Sequence, residues 1–189
     1  MQATPRQPCD CDLAAFFQRS RARLPSAAAS EGQPASGDLD AVSADTAMNP
    51  RQTVRDIIGR PLEFYLGVRG KANTERVIEL LEMIELNADF LERLPAELSG
   101  GQKQRICIAR ALAANPEFII CDEVTSALDQ IVQEGILKLL LRLQSELGLT
   151  YMFITHDIST VKAIADQVVV MSEGRVVEQG SKTEVFQPP

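Results

Sequence analysis

Three short stretches of this sequence place chemically capable groups where a folded chain would expose them. "LSGGQKQR", Leu98 to Arg105, sets Ser99, Gly100 and Gly101 in front of a basic, helix-forming run. Glycines there remove side chains that would block an anion, while a serine and a helix N-terminus offer hydrogen bonds and positive potential. Gln102, Lys103 and Arg105 add polar and basic support. The plainer alternative is an ordinary N-cap at Ser99 followed by two flexible turn residues. "FIICDE" ends an apolar run in Asp122 and Glu123, and "TYMFITHD" ends another in Thr155, His156 and Asp157. In open parallel sheets ligands gather beyond the carboxyl ends of the strands, so both runs would present titratable groups to one edge. Adjacent carboxylates there suit a magnesium nucleotide, one acid holding Mg2+ through water while the next orients or deprotonates an attacking water. Taken singly, the two acids are also read as solvated strand ends, and a lone His156 as a structural histidine.

The elements that must hold these groups follow from hydrophobic period. "TERVIELLEMIEL" places Val77, Ile78, Leu80, Leu81, Ile84 and Leu86 on one stripe, which predicts an amphipathic helix. A helix is also expected after Asn49-Pro50, and another over "KQRICIARALAANP" until Asn115-Pro116 stops it. The continuous run Phe118–Cys121 predicts a strand buried on both faces. "IVQEGILKLLLRLQSEL" reads as a helix, "TYMFITHD" as a second buried strand, and "QVVVMSEGRVVEQG" as two strands about a turn at Glu173-Gly174. This order predicts an α/β fold with a parallel sheet core and a preceding helical subdomain. Residues 45–115 would form the helical part, ending in the helix after "LSGGQ", and 116–189 the α/β core.

Residues 1–44 differ in kind. "SAAASEGQPASG" has neither helical nor strand period, so this segment is expected to be low-complexity and disordered. A short helix over "DLAAFFQRSRARL" is the one element it offers.

Composition narrows the function. The 189 residues are 45% hydrophobic, enough for a core in one domain, and carry a net charge of −7, which argues against nucleic-acid binding. Of four cysteines, Cys107 and Cys121 lie in apolar segments, as in a reduced, cytoplasmic protein. Cys9 and Cys11 supply at most half of a zinc site, and His156 is the only histidine. "ILKLLLRLQ" is interrupted by Lys138 and Arg142, so no run reaches the roughly 20 apolar residues of a membrane span. No basic-then-apolar leader stands at the N-terminus.

The ordered set "LSGGQKQRICIARAL…FIICDEVTSALD…TYMFITHD" resembles the ATP-binding cassette (ABC) ATPases, the motor subunits of ABC transporters. In that family "LSGGQ" is the signature motif, "FIICDE" the Walker B strand, "SALD" the D-loop and "THD" the switch histidine. The resemblance implies a P-loop NTPase fold of ABC type over about residues 45–189, with ATP and Mg2+ as cofactors. It implies Asp122 on the metal, Glu123 polarising the hydrolytic water and His156 on the γ-phosphate. Ser99, Gly100, Gly101 and Gln102 would face ATP held by a second ATPase subunit, with Asp129 at the interface between the two. "MNPRQTVRDIIGRPL" and "GRVVEQGSKTEVFQPP" are similar to the oligopeptide, dipeptide and nickel importer branch. That branch implies transmembrane permease subunits as partners, a place on the inner face of the cell membrane, and peptides as cargo.

One family feature has no counterpart. The phosphate loop G-x-x-x-x-G-K-[ST] does not occur, and "GVRGKAN" has its glycines three apart and Ala72 where the hydroxyl belongs, so Lys71 is read as a surface residue. The Q-loop glutamine and the aromatic that stacks on the nucleotide are missing as well. The expectation is a chain that alone binds ATP poorly and hydrolyses it negligibly. It would then be an importer ATPase lacking its N-terminal part, a non-hydrolysing donor of the signature motif, or the inactive product of a disrupted reading frame.

Overall fold

The computed structural model describes residues 12–17, 40–41, 48–125 and 128–186, with side chains described from Met48 onward. The Cys9–Cys11 pair, Ser126 and Ala127 of "SALD", and the expected disorder of most of the N-terminal segment lie outside the described residues.

The first helix, α1 (Val54–Leu66), begins because Thr53 and Asp56 form a reciprocal capping box, and it ends at Gly67, whose φ of 66° is left-handed. Its free N–H groups at Val54 and Arg55 donate to the carbonyls of Arg93 and Leu91, both at 3.0 Å. Next, α2 (Gly70–Met83) returns against α1, and Lys71 lies exposed in its first turn beside Glu75. The Asn73 amide donates to the carbonyls of Gly59 and Val68 at 2.8 and 2.9 Å, locking the α1–α2 corner. A Cβ on Gly59 would sit 2.5 Å from Asn73 Oδ1, so this close approach requires glycine. Val54, Ile58, Leu62, Val77, Leu80, Leu81 and Ile84 join the buried core here.

Helix α3 (Gly100–Leu112) leads from this helical layer to the sheet. Strands β3 (Phe118–Asp122) and β4 (Thr150–Thr155) are joined by α4 (Gln130–Leu147), and they pair in parallel from Phe118↔Thr150 to Asp122↔Ile154. After α5 (Ile158–Ile164) come β5 (Gln167–Ser172) and β6 (Arg175–Ser181), which pair about Glu173-Gly174, both at positive φ. The short α6 (Lys182–Val185) follows.

Two strands precede the helices: β1 (Asp12–Phe17) and β2 (Asp40–Ala41). The sheet order is β2-β3-β4-β1-β5-β6. Among the described strands β2, β3 and β4 run parallel, while β1 lies antiparallel to both neighbours. The helix considered for "DLAAFF" is therefore a strand. β1 fills a gap whose two flanking strands both need hydrogen-bond partners, and that non-local demand outweighs helix propensity.

The strands alternate in burial and are not covered on both faces. Ile119, Cys121, Tyr151, Phe153 and Val168 are buried, whereas Phe118, Ile120, Met152 and Ile154 are half-buried. One face of the sheet carries the core and the other is only partly covered.

Candidate functional site

The parallel pairing of β3 and β4 brings their carboxyl ends side by side. Asp122, the last residue of β3, is exposed there. The next residue, Glu123, has a left-handed φ of 46°. Its N–H donates to the Ile154 carbonyl at 2.9 Å, which ties the end of β3 to β4. The result is that Glu123 Oε1 faces His156 Nδ1 at 3.3 Å, with both side chains more than half exposed. With Nδ1 turned to the carboxylate, the Nε2 face of the imidazole is left for a ligand. Three of the residues singled out by sequence thus meet at one edge.

The loop carrying His156 is tightly built. Asp157 caps α5, accepting from the N–H groups of Ser159 at 2.9 Å and Thr160 at 3.3 Å, and its own N–H donates to Thr155 Oγ1 at 3.1 Å. The hydroxyl of Thr160 donates to Asp157 Oδ2 at 2.6 Å, and this bond leads the causes that hold the Asp157 carboxyl below its ordinary range. Gln133, from the first turn of α4, donates to the same Oδ2 at 3.1 Å. Sequence reasoning missed Gln133, Thr125 and Thr160, because polar residues on a helix or loop carry no periodic signal.

The signature loop is a separate structure on the N-terminus of α3. Ser99 and Gln102 form a capping box: Ser99 Oγ accepts from the Gln102 N–H at 3.3 Å, and Gln102 Oε1 accepts from the Ser99 N–H at 3.0 Å. The side chain of Gln102 is therefore folded back on its own helix. Gly100 is exposed, and its N–H lies in the first turn, where helices leave amides for an external acceptor. Gly101 has a different task. A Cβ there would lie 2.6 Å from Val132 Cγ1, so its lack of a side chain lets α3 dock on α4. Gly100, where a Cβ would meet only Leu128 Cδ2 at 3.4 Å, is the glycine left open at this helix end.

Asp129 is the N-cap of α4, its Oδ1 accepting from the N–H groups of Ile131 and Val132 at 3.1 and 3.0 Å. Farther along α3, Arg105 donates to the Ile84 carbonyl at 2.7 Å and to Glu85 at 2.5 Å, with Arg142 of α4 on the other carboxylate oxygen. The Arg105 hydrogen bond is the first cause that holds the Glu85 carboxyl below its ordinary range. This arginine is engaged by Glu85 and the Ile84 carbonyl and braces the helix.

A hard oxygen donor such as the exposed Asp122 fits Mg2+, which keeps most of its water and needs few protein ligands. No group of three or more His, Cys, Asp or Glu side chains that could hold a metal occurs among the described residues. β1 runs antiparallel to β4. Its register with β4, Leu13↔Thr155 to Phe17↔Tyr151, puts Phe17 at the edge away from Glu123 and His156.

The profile of the ABC transporter family matches residues 20–126, more than half of the chain and reaching upstream of Asp45. The oligopeptide transport ATP-binding protein OppF of Streptococcus mutans is 49% identical over 144 residues, 76% of this chain and 47% of the relative. The glutathione import ATP-binding protein GsiA of Salmonella paratyphi A is 45% identical over 169 residues, 88% of this chain and 27% of the relative. The chain thus spans about half or less of the length of these curated relatives. Among solved structures, the ATP-binding cassette MJ0796, in a dimeric post-hydrolysis state bound to ADP and Pi, superposes with a TM-score of 0.64 at 35% identity. That match covers 74% of this chain and 60% of the other. The chain belongs to the ABC transporter family.

Proposed function

We propose that this chain acts in the ATP-hydrolysing subunit of an ABC importer for peptides or related small solutes. The observation that carries this is the Glu123–His156 pairing at 3.3 Å beside Asp122, on the carboxyl edge of two parallel strands. Relatives named for oligopeptide transport and glutathione import support this solute class.

Asp122 would hold Mg2+, which when bound neutralises phosphate charge. Glu123, turned toward the edge by its backbone, orients a water and takes its proton on the carboxylate. His156, steadied by Glu123 through Nδ1, offers Nε2 to the terminal phosphate. Ser99, Gly100, Gly101 and Gln102 form the end of α3 that meets ATP held by a second ATPase subunit, and Asp129 lies at that interface. The permease would seat at the open cleft of about 700 Å³ lined by Asn49, Gln52, Ile57, Pro61, Phe64 and Tyr65. Phe64 there is 79% exposed. No helix among the described residues is long and apolar enough to cross a membrane, so attachment to the cytoplasmic face would run through the permease.

A second reading has its own support. The 189 residues contain no phosphate-loop string, and β1 delivers its end to the edge opposite the site. The chain would then lend its intact signature loop to a partner that holds ATP. Mg-ATP turnover separates the two. Turnover is expected to be negligible for the chain alone, and to arise when it is mixed with a peptide-importer cassette that carries a phosphate loop. Loss of that turnover on Ser99→Arg supports both readings. Loss on Glu123→Gln supports hydrolysis at this chain's own edge, and indifference to Glu123→Gln supports the donor reading. Mixed turnover unaffected by either change would overturn both.

A further inference from the structure

The first turn of α4 reaches the signature loop and the loops after β3 and β4. Asp129 caps it, Val132 fills the space beside Gly101, and Gln133 reaches across to the other loops. The side-chain nitrogen of Gln133 lies 3.1 Å from Asp157 Oδ2, 3.1 Å from Thr160 Oγ1 and 3.4 Å from Thr125 Oγ1. The chemistry fixes its orientation, because an ionised carboxylate only accepts and the amide must turn its NH2 toward Asp157. Thr160 already donates its own proton to that carboxylate, so its lone pairs are free to accept from Gln133. One amide therefore joins three segments: the loop after β3, two residues beyond Glu123; the first turn of α4; and the loop after β4, one residue beyond His156.

We propose that Gln133 is a positioning residue that fixes the loop carrying His156 to the first turn of α4. Asp157 is the anchor on the His156 side. It is held by Gln133, Thr160 and Ser159 at once, and its backbone N–H is tied back to Thr155, so His156 is caught between two restrained neighbours. The imidazole itself meets Glu123 at 3.3 Å. Loss of the Gln133 amide leaves Asp157 capping α5 but releases that cap from α4.

The role in catalysis rests on His156 being a site residue, as proposed above, but the test needs no nucleotide. His156 is the only histidine in the chain, so its imidazole gives a single assignable pair of ring C–H NMR signals from the full-length protein. Gln133→Met keeps the shape and removes the amide, and Gln133→Glu keeps the shape and sets an acceptor against Asp157. Both are expected to move the imidazole signal and to broaden it by about twofold or more as the loop samples alternatives. Leu139→Ala, a core truncation in the same helix, is the control: it lowers the unfolding midpoint and leaves the imidazole signal in place. A His156 signal unchanged in both Gln133 variants, or shifted equally by Leu139→Ala, would overturn the proposal. Should the Met variant not fold, the Glu variant decides on the same outcomes. Absence of ATP turnover in the mixture with a phosphate-loop cassette, with the imidazole shift present, would remove the proposed function and leave the positioning role standing.

Discussion

Val132 fills the space into which Gly101 would have to place a side chain. The branched Val132 cannot swing aside as the end of a long chain could, so Gly101→Ala must push α3 away from α4. We expect a loss of about 1–3 kcal/mol in urea unfolding, recovered in part by adding Val132→Ala. Gly100→Ala is the contrast. Its Cβ would lie 3.4 Å from Leu128 Cδ2, an ordinary contact, and a change within about 0.5 kcal/mol is expected.

The bridge from Arg105 to Glu85 makes the seating of α3 depend on pH. Glu85 has its folded value below the ordinary 4.5, so its contribution is present above that pH and is lost as the pH falls through the lower folded value. Glu85 is about half exposed, and solvent screening limits the effect. Glu85→Gln is expected to cost about 0.5–1 kcal/mol near neutral pH at low salt. Urea midpoints of the two proteins should converge in acid, and a gap that persists there would show that packing, not charge, is at work.

Asp129 should reveal itself as a cap in stability before it does so in any interface. Asp129→Ala removes the acceptor for two N–H groups and is expected to cost about 1 kcal/mol, while Asp129→Asn keeps the acceptor and costs a few tenths. Thermal unfolding of the two variants measures the difference. Equal losses would mean that the charge, and not the hydrogen bonds, matters.

Cys107 and Cys121 should be silent thiols. Burial pushes the Cys121 thiol up to about 12 and raises that of Cys107, so neither offers a thiolate near neutral pH. Alkylation followed by peptide mass analysis is expected to leave both unmodified in the native chain and to modify both in urea.

The parts of the fold legible in sequence are those with a local cause. The apolar runs ending in Asp122 and in Thr155 are strands, and the stripe from Val77 to Ile84 is a helix, because burial imposes its period on neighbouring residues. The same apolar run at Phe118–Cys121 misled about faces: it reads as a strand buried on both sides but is covered on one, since both kinds of strand carry similar composition. Gly101 was legible as a special position but not for its reason, which is Val132, thirty-one positions away in sequence order. Gln133 was silent, because its partners at Thr125, Asp157 and Thr160 converge only after folding. β1 could not be read from "DLAAFF", whose partners are two distant strands.

The left-handed backbone at Glu123 also bears on how this acid can be lost. A single base change in a glutamate codon leads to Asp, Gly, Ala, Lys, Gln, Val or a stop. Glycine adopts a φ of 46° without cost and aspartate with little, whereas the β-branched valine meets a steric barrier there. Random mutation at this codon is thus sorted by the backbone first. Loss of the carboxylate by way of valine is expected to cost about 1–3 kcal/mol of stability as well, while loss by way of glycine leaves the backbone unstrained.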